Sequence, residues 1–421
     1  MLLPPDSSQQ HAKQASRTDW IDGLRGLASL SVCLSHVLGG AYPSLYFAYG
    51  DGPPGRLSRS WLKLPIIRLL HSGDAAVALF FLASGYALSL RPLRLIQQQS
   101  PTSPLESLSS SVLRRTGRLL IPTLAASLAT CLAAQFGAFD TAQATLRHQT
   151  HHPSYQVFFF VSAKRQSSLL AQMALWHQET MTLFFFNRGD TLTVPVLRYG
   201  THLWTIPVEL WASLVVYLFL LGLVSVPRTA RCCIIGMSCR TWGGVAATDI
   251  GEGKEKEVEV EMEMEMERWG SPTVNAAAAP GGWTALNRLA PVGVYGEENA
   301  GRFWVAIGAV CIFFSVQRWP LLQGLLGIAL PRWLGRVSFS LYLVHNAIMS
   351  SLGAWLIAIW GNGNGQEDVG IGGDALMVCI LCLVVAVSIG VANVFYRVVD
   401  EPSKRFMVWL ELRLERPTSF S

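Results

Sequence analysis

The sequence predicts an all-α protein, a multi-pass transmembrane helical bundle of about 8–10 spans, since one span takes roughly 20 mainly apolar residues. Of its 421 residues, 51% are hydrophobic and only 14% are charged. Soluble domains carry about 25% charged residues, so this balance argues against an ordinary soluble fold. The mean hydropathy of +0.34 supports the same class.

Seven segments are apolar over enough residues to be firm candidates for spans. They are residues 26–48, 69–90, 117–138, 203–226, 303–318, 337–360 and 374–396. Three shorter or less apolar segments are weaker candidates, namely residues 155–163, 168–186 and 319–330. Serine and glycine occur inside the firm segments, and such small residues allow transmembrane helices to pack closely.

Polar and low-complexity segments set the limits of this membrane domain. Residues 1–19 form a polar cytosolic N-terminus, residues 20–405 the membrane domain, and residues 406–421 a cytosolic C-terminal tail. The domain is interrupted at 227–302, where a charged stretch leads into alternating glutamate and methionine at 261–267. Such a composition cannot bury enough apolar surface to fold, so the interruption is predicted to be a disordered loop.

Basic residues indicate which parts of the chain face the cytosol. Five arginines flank the connection between the second and third segments, where Glu106 is the only acid: Arg91, Arg94, Arg114, Arg115 and Arg118. The positive-inside rule assigns that connection to the cytosol, and the N-terminus and the C-terminal tail with it. Basic clusters beside a membrane favour anionic lipid over nucleic acid, so no nucleic-acid partner is expected.

The eight cysteines do not form a disulfide framework, because five of them lie inside apolar segments. Cys379 and Cys382 have the spacing of a redox or zinc pair, but no polar ligand accompanies them in this apolar helix. His148, His151 and His152 cluster after the third segment, where a solvated loop is favoured over a metal site. We therefore expect no metal and no tightly bound cofactor.

Arg25 and His36 are the most informative polar residues of the first apolar segment. They are eleven residues apart, about three helical turns, so both side chains project from nearly one face. Their separation along the helix axis is roughly 16 Å. Arg25 then lies near the membrane surface, and His36 lies about halfway into a hydrocarbon core that is ~30 Å thick. An ionisable group at that depth usually faces the protein interior and marks a functional site.

Six segments, in order, resemble motifs of the membrane-bound acyltransferase 3 family, in a form associated with fungal members. They are residues 22–28 with His36, then 73–86, 114–122, 202–209, 334–345 and 401–405. The resemblance implies an integral-membrane O-acyltransferase. Its expected reaction transfers an acyl group, most often acetyl, to a hydroxyl of a sugar, a lipid or a small metabolite.

Acyl transfer from a thioester to an alcohol needs a base, stabilisation of the oxyanion and a site for the donor. His36 is the expected base, supported by Glu209, a carboxylate in an otherwise apolar segment. The co-substrate is expected to be acyl-CoA, in particular acetyl-CoA, whose phosphates suit arginine. The residues expected to bind it are Arg25, Arg114, Arg115 and Arg118. Those expected to line the acceptor site are Trp204, Ser338, Tyr342 and His345.

Several alternatives remain open at this point. Glu209 can instead form an ion pair with a basic residue of another span, and ordinary anchoring at the cytosolic face equally explains the loop arginines. A transporter that uses the intramembrane His36 and Glu209 as a proton relay would move a substrate without forming an acylated product. An inactive, truncated acyltransferase relative would keep the helices only as a scaffold.

Overall fold

The computed structural model describes residues 19–42, 60–98, 104–149, 163–185, 198–224, 292–360 and 375–414, together with residues 45, 226 and 230. Within these ranges the regular elements are helices and no strand is formed, which confirms the all-α prediction. The predicted loop tract at 261–267, the weak span candidate at 155–163 except for its last residue, and His151 and His152 lie outside the described residues.

The described residues form thirteen α-helices, which we number in chain order. They are α1 (Asp19–Ala41), α2 (Pro65–Leu69), α3 (Gly73–Gln98), α4 (Pro104–Gln135), α5 (Asp140–Gln149), α6 (Leu169–Phe185), α7 (Thr205–Leu223), α8 (Val292–Arg318), α9 (Pro320–Leu326), α10 (Ala329–Ile348), α11 (Ala354–Trp360), α12 (Ala375–Phe395) and α13 (Glu401–Leu414). A 3₁₀ turn, Thr201–Trp204, leads into α7, and a π-helical turn, Met349–Gly353, joins α10 to α11.

The described residues contain six helices long and apolar enough to cross a membrane: α1, α3, α4, α7, the run from α10 to α11 and the run from α12 to α13. Helices α8 and α9 pass the same test together but are bent by 97°. The bend falls at Trp319, just before Pro320, because proline disfavours helical conformation in the residue that precedes it. The described parts of all seven firm segments thus lie mainly in apolar helices. These helices provide six or seven spans, where eight to ten were expected.

Helix α6 occupies the weak span candidate at 168–186 and has 17 residues. That is the lower limit of the length needed to cross a ~30 Å core. The weak candidate at 319–330 contributes α9, the short arm of the bent pair. Neither segment adds an independent straight span to the six.

Two boundaries of the bundle differ from the sequence prediction. α8 begins at Val292, so the helical scaffold resumes inside the stretch 227–302 that composition assigns to a loop. α13 continues past residue 405, and its buried Glu411 pairs with Arg114 of α4 at 3.3 Å. Residues 406–414 therefore belong to the packed bundle, because α13 docks on α4 instead of leaving the domain as a free tail.

Helices α1 and α10 pack backbone to backbone through glycine. A Cβ at Gly335 of α10 would lie 2.1 Å from the carbonyl oxygen of Asp22, and a Cβ at Gly26 of α1 would lie 2.5 Å from that of Pro331. Real Cβ atoms do not approach a carbonyl oxygen so closely, so only glycine allows this crossing. The two helices run in the same direction, and their close contact determines where the polar residues further along each helix meet.

Replacing Gly335 with alanine is expected to destabilise the bundle by ~3 kcal/mol, because the added methyl forces two packed backbones apart. Gly390→Ala is the matched control, since a Cβ at Gly390 of α12 meets nothing within 4 Å and alanine favours a helix. The thermal midpoints of both variants, purified in detergent, test this. Equal midpoints would contradict the close crossing of α1 and α10.

Candidate active site

His36 of α1 and His345 of α10 meet inside the bundle. Nδ1 of His36 lies 2.7 Å from Nε2 of His345, and the two rings stack with their centroids 5.0 Å apart. His345 has no exposed surface. Two residues that the sequence assigned to separate roles, the base and the acceptor lining, are therefore direct partners.

The hydrogen bonds of His345 determine which nitrogens of the pair carry protons. Nδ1 of His345 lies 3.0 Å from the carbonyl oxygen of Leu341 and 2.8 Å from that of Tyr342. Because a carbonyl oxygen only accepts, Nδ1 of His345 is the donor, and Nε2 of the neutral ring is an acceptor. Nδ1 of His36 must then donate to it. In neutral His36 the lone pair that takes up a proton is therefore on Nε2.

A third histidine, His202, completes this histidine cluster. It lies buried in the turn Thr201–Trp204, with its ring centroid 4.9 Å from that of His345 and 5.1 Å from that of Tyr342. The hydroxyl of Tyr342 donates to the carbonyl oxygen of His202 and lies 2.6 Å from the hydroxyl of Thr205. Among the described residues, neither ring nitrogen of His202 has a hydrogen-bond partner.

Sequence reasoning did not select His202, although it belongs to the same motif as Trp204. Trp204 keeps 40% of its surface exposed, whereas His202, two residues earlier, is the member of the motif that reaches the cluster. Ser338 is buried, and its hydroxyl donates to the carbonyl oxygen of Gly335 in its own helix at 2.8 Å. The sequence around His202 does not show which way its side chain points. Only the fold reveals that the side chain is buried.

Glu209 of α7 forms an ion pair with Arg115 of α4, whose Nη2 lies 2.5 Å from Oε1 of the carboxylate. The Arg115 and Glu209 side chains are 12% and 23% exposed. Ser84 of α3 accepts a bond from Arg115 at 2.5 Å and donates to Glu209 at 3.2 Å, while Ser213 accepts from Nε of Arg115 at 3.1 Å. This partly buried network joins three helices and matches the ion-pair alternative that the sequence left open for Glu209.

Two more of the arginines that were expected to bind the donor, Arg114 and Arg118, differ in their contacts. Arg114 pairs with Glu411 and so attaches α13 to α4. Arg118 forms no salt bridge with a carboxylate in the described part of the chain. It lies within electrostatic range of Arg25 and of Lys404 on α13. Arg114 therefore has a structural contact, and Arg118 contributes to a cluster of positive charge.

Arg25 lies at the same end of the bundle as this positive charge. Its guanidinium is 3.9 Å from Asp22, one turn earlier in α1, and it lies within electrostatic range of Arg115, Arg118 and Glu209. We call Arg25, Arg118 and Lys404 the basic end of the site; Lys404 also pairs with Asp400 at 2.9 Å and with Glu401 at 3.9 Å. His36 lies further along α1, roughly 16 Å from Arg25 along the axis, so the basic end and the histidine cluster occupy different depths of one bundle.

The rings of His36 and His202 both contact the ring of His345, and one hydrogen bond joins ring nitrogens of His36 and His345. Ligands of a metal instead direct their lone pairs to a common point. Across the described ranges, no group of three or more histidine, cysteine, aspartate or glutamate side chains is placed to hold a metal ion. The arrangement is suited to moving a proton between nitrogens.

Comparison with known proteins identifies the family of the chain. The family model for an acyltransferase domain, that of the acyltransferase 3 family, matches residues 18–247, more than half of the chain. The chain belongs to the acyltransferase 3 family. It is thus a multi-pass membrane acyltransferase, an enzyme that transfers an acyl group from a donor to a hydroxyl-bearing acceptor. No solved structure gives a significant match.

Three curated fungal proteins are similar to this acyltransferase over nearly their whole length. O-acetyltransferase PaAT-1 of Phomopsis amygdali is 26% identical over 99% of this chain and 89% of its own. Acyltransferase R4 of a Phoma species is 26% identical, over 93% and 95% of the two chains. Acyltransferase clz18 of Cochliobolus lunatus is 25% identical, over 91% and 94%.

Proposed function

We propose that this acyltransferase transfers an acetyl group from acetyl-CoA to a hydroxyl of a sugar, a lipid or a small metabolite. The observation that carries the proposal is the hydrogen-bond chain from the backbone carbonyls of α10 through His345 to His36, because it presents Nε2 of His36 as a base. The relative from Phomopsis amygdali is named as an O-acetyltransferase, which supports acetyl as the transferred group and oxygen as its acceptor.

In the proposed reaction, Nε2 of His36 takes the proton of the acceptor hydroxyl while the oxygen attacks the thioester carbonyl carbon. The carbon–sulfur bond then breaks, the acetyl group remains on the acceptor oxygen, and the proton passes to the sulfur of CoA. Charge on the imidazolium formed during this step is stabilised by His345, whose Nε2 accepts a hydrogen bond from it. In the alternative route, Nε2 of His36 itself attacks the thioester carbonyl carbon and CoA leaves as the thiolate. The acceptor oxygen then takes the acetyl group from the imidazole nitrogen, and the hydroxyl proton passes to the thiolate.

The basic end is proposed to bind the phosphates of CoA. Arg25 and Arg118 are the strongest candidates among the four predicted arginines. Arg114 and Arg115 pair closely with Glu411 and Glu209, whereas Arg25 is 3.9 Å from the exposed carboxylate of Asp22. Arginine binds phosphate through two parallel hydrogen bonds, which lysine cannot do. Acetyl-CoA is cytosolic, so we propose that the basic end and both termini face the cytosol, in agreement with the positive-inside rule.

Glu209 is proposed to act through Arg115 and not as a direct partner of the base. The ion pair joins α3, α4 and α7, and Glu209 lies within electrostatic range of both Arg25 and Tyr342. A transporter remains the competing class, since buried charged networks also serve proton relays. The two classes differ in whether an acetylated product is formed.

Metabolite profiling of a strain that lacks the gene is expected to show a compound that has lost one acetyl group. The full-length protein in lipid nanodiscs is then expected to acetylate that compound with radiolabelled acetyl-CoA. The label is expected in the acetylated product and not in free acetate alone. Uptake or efflux of the compound without acetylation would favour the transporter. An absence of labelled product in this assay would contradict the proposal.

A further inference from the structure

Residues 60–72 come directly before α3 in the chain and pack on the middle of α1. The hydroxyl of Ser31 donates to the carbonyl oxygens of Leu69 and Ser72, at 3.3 and 3.5 Å. Along the helix axis, Ser31 lies about 18 Å from the start of the candidate span Asp19–Gly39 and about 12 Å from its end. The last residues of this segment therefore lie deep within the span and not at its end.

The start of α3 lies at a similar depth. A Cβ at Gly73, its first residue, would lie 3.0 Å from Oγ of Ser35. Ala76, in the first turn of α3, is buried in the core cluster that includes Val37 of α1. Apolar length treats this connection as a link outside the membrane, between the first two candidate spans. The structure instead places its end beside the middle of α1, next to His36, which follows Ser35.

The outward side of the segment is apolar. Ile66 is 82% exposed, Leu70 is 68% exposed and Trp61 is 58% exposed. Leu70 adjoins Leu69, whose carbonyl oxygen bonds to Ser31, so this exposed surface reaches the middle depth of α1. Exposed apolar surface of this extent is unfavourable in water and marks a contact with lipid or protein. At that depth in a membrane span, the acyl chains of the bilayer are the matching partner.

Side chains satisfy the backbone of the segment where its helices are interrupted. It contains a 3₁₀ turn, Trp61–Lys63, and α2, which has only five residues. Nε2 of buried His71 lies 3.1 Å from the carbonyl oxygen of Leu62. Nε2 is the donor, because a carbonyl oxygen only accepts. Ser31 bonds to two further carbonyl oxygens. Non-helical backbone is tolerated at membrane depth where protein groups satisfy it, and these bonds have that effect.

We propose that residues 60–72 form a re-entrant segment, whose exposed apolar side contacts the acyl chains of the bilayer beside the histidine cluster. On this side of α1, the boundary between protein and bilayer is then formed by two short helical turns instead of a full-length span. Ser31, which the segment contacts, precedes His36 by five residues, about 8 Å along the helix axis. This position in the bilayer depends neither on the donor nor on the acceptor, so it stands or falls apart from the proposed function.

Fluorescence quenching tests the depth of the segment. Ile66 or, in a second variant, Leu70 is replaced by a fluorescent amino acid in the full-length protein, which is placed in nanodiscs. Lipids with bromine in the middle of the acyl chains are expected to remove most of the emission at both positions, and iodide in the water little of it. Leu383, exposed on α12, is the control for lipid contact, and Lys164, exposed outside the candidate spans, is the control for water. Quenching by iodide would show a surface loop, and quenching by neither would show a protein contact. Both results would overturn the proposal.

Ser31→Ala tests the contact that sets this depth, because it removes the donor to the carbonyl oxygens of Leu69 and Ser72. Backbone hydrogen exchange within residues 60–72 is expected to become about tenfold faster, the effect of losing roughly one hydrogen bond. Ser29→Ala is the matched control, since the hydroxyl of Ser29 donates to a carbonyl oxygen of α1 itself, that of Gly26, at 2.9 Å. Mass spectrometry compares both variants in nanodiscs. Equal exchange rates in the two would overturn the proposal, because the segment would then not be held at the middle of α1.

Discussion

His36→Ala is expected to lower kcat for acetyl transfer by about 10²–10⁴-fold, the usual contribution of a positioned general base. KM for acetyl-CoA is expected to change little, because the basic end lies roughly 16 Å away along α1. Rates from single-turnover assays with radiolabelled acetyl-CoA, measured in nanodiscs, separate the chemical step from product release. Equilibrium titration with acetyl-CoA gives its Kd, which shows whether the substitution affects binding of the donor.

The control for this substitution is His177→Ala, since His177 is an exposed histidine on α6 outside the cluster. His345→Gln provides a finer comparison. It keeps a side chain that can accept a hydrogen bond from Nδ1 of His36 but loses the imidazole that shares the proton, so its kcat is expected to fall less than that of His36→Ala. Full turnover in His36→Ala would show that another group is the base.

Apolar length alone predicted most of the fold. All seven firm segments form helices, because the requirement of about 20 apolar residues per span leaves little choice in a bilayer. The start of α8 at Val292 and the continuation of α13 to Leu414 were not predictable in this way. Both stretches have mixed composition, and α13 is placed on α4 by a contact that is distant in sequence, the Arg114–Glu411 pair.

The sequence selected several residues of the candidate site, but not the contacts between them. Arg25 and His36 were selected by their depth in the first span. Glu209 was selected because a carboxylate is unusual in an apolar segment. The partner of His36 is 309 residues away in sequence, and no periodicity connects residues at that separation. His202 escaped attention for a related reason, since its inward direction depends on the turn Thr201–Trp204 and on Tyr342 from another helix.

Glu209→Gln is expected to lower the free energy of unfolding by ~3 kcal/mol, because it leaves the buried Arg115 guanidinium without its carboxylate. Arg115→Met is expected to lower the free energy of unfolding by a similar amount, because it leaves the Glu209 carboxylate unpaired. Both are measured as denaturation midpoints of the detergent-purified chain. Arg405→Gln removes one partner of the exposed pair with Glu401, where Arg405 is 79% exposed, and is expected to cost less than about 1 kcal/mol.

The double variant of Glu209 and Arg115 decides whether the pair acts as a unit. If the cost comes from an unpaired buried charge, replacing both residues by neutral ones costs less than the sum of the single losses. An additive result would contradict a direct partnership. The same variants separate two roles of Glu209, because a residue that positions helices through Arg115 loses stability and turnover together. If Glu209 instead oriented His36 directly, Glu209→Gln would lower kcat with the midpoint unchanged, and Arg115→Met would spare the chemistry.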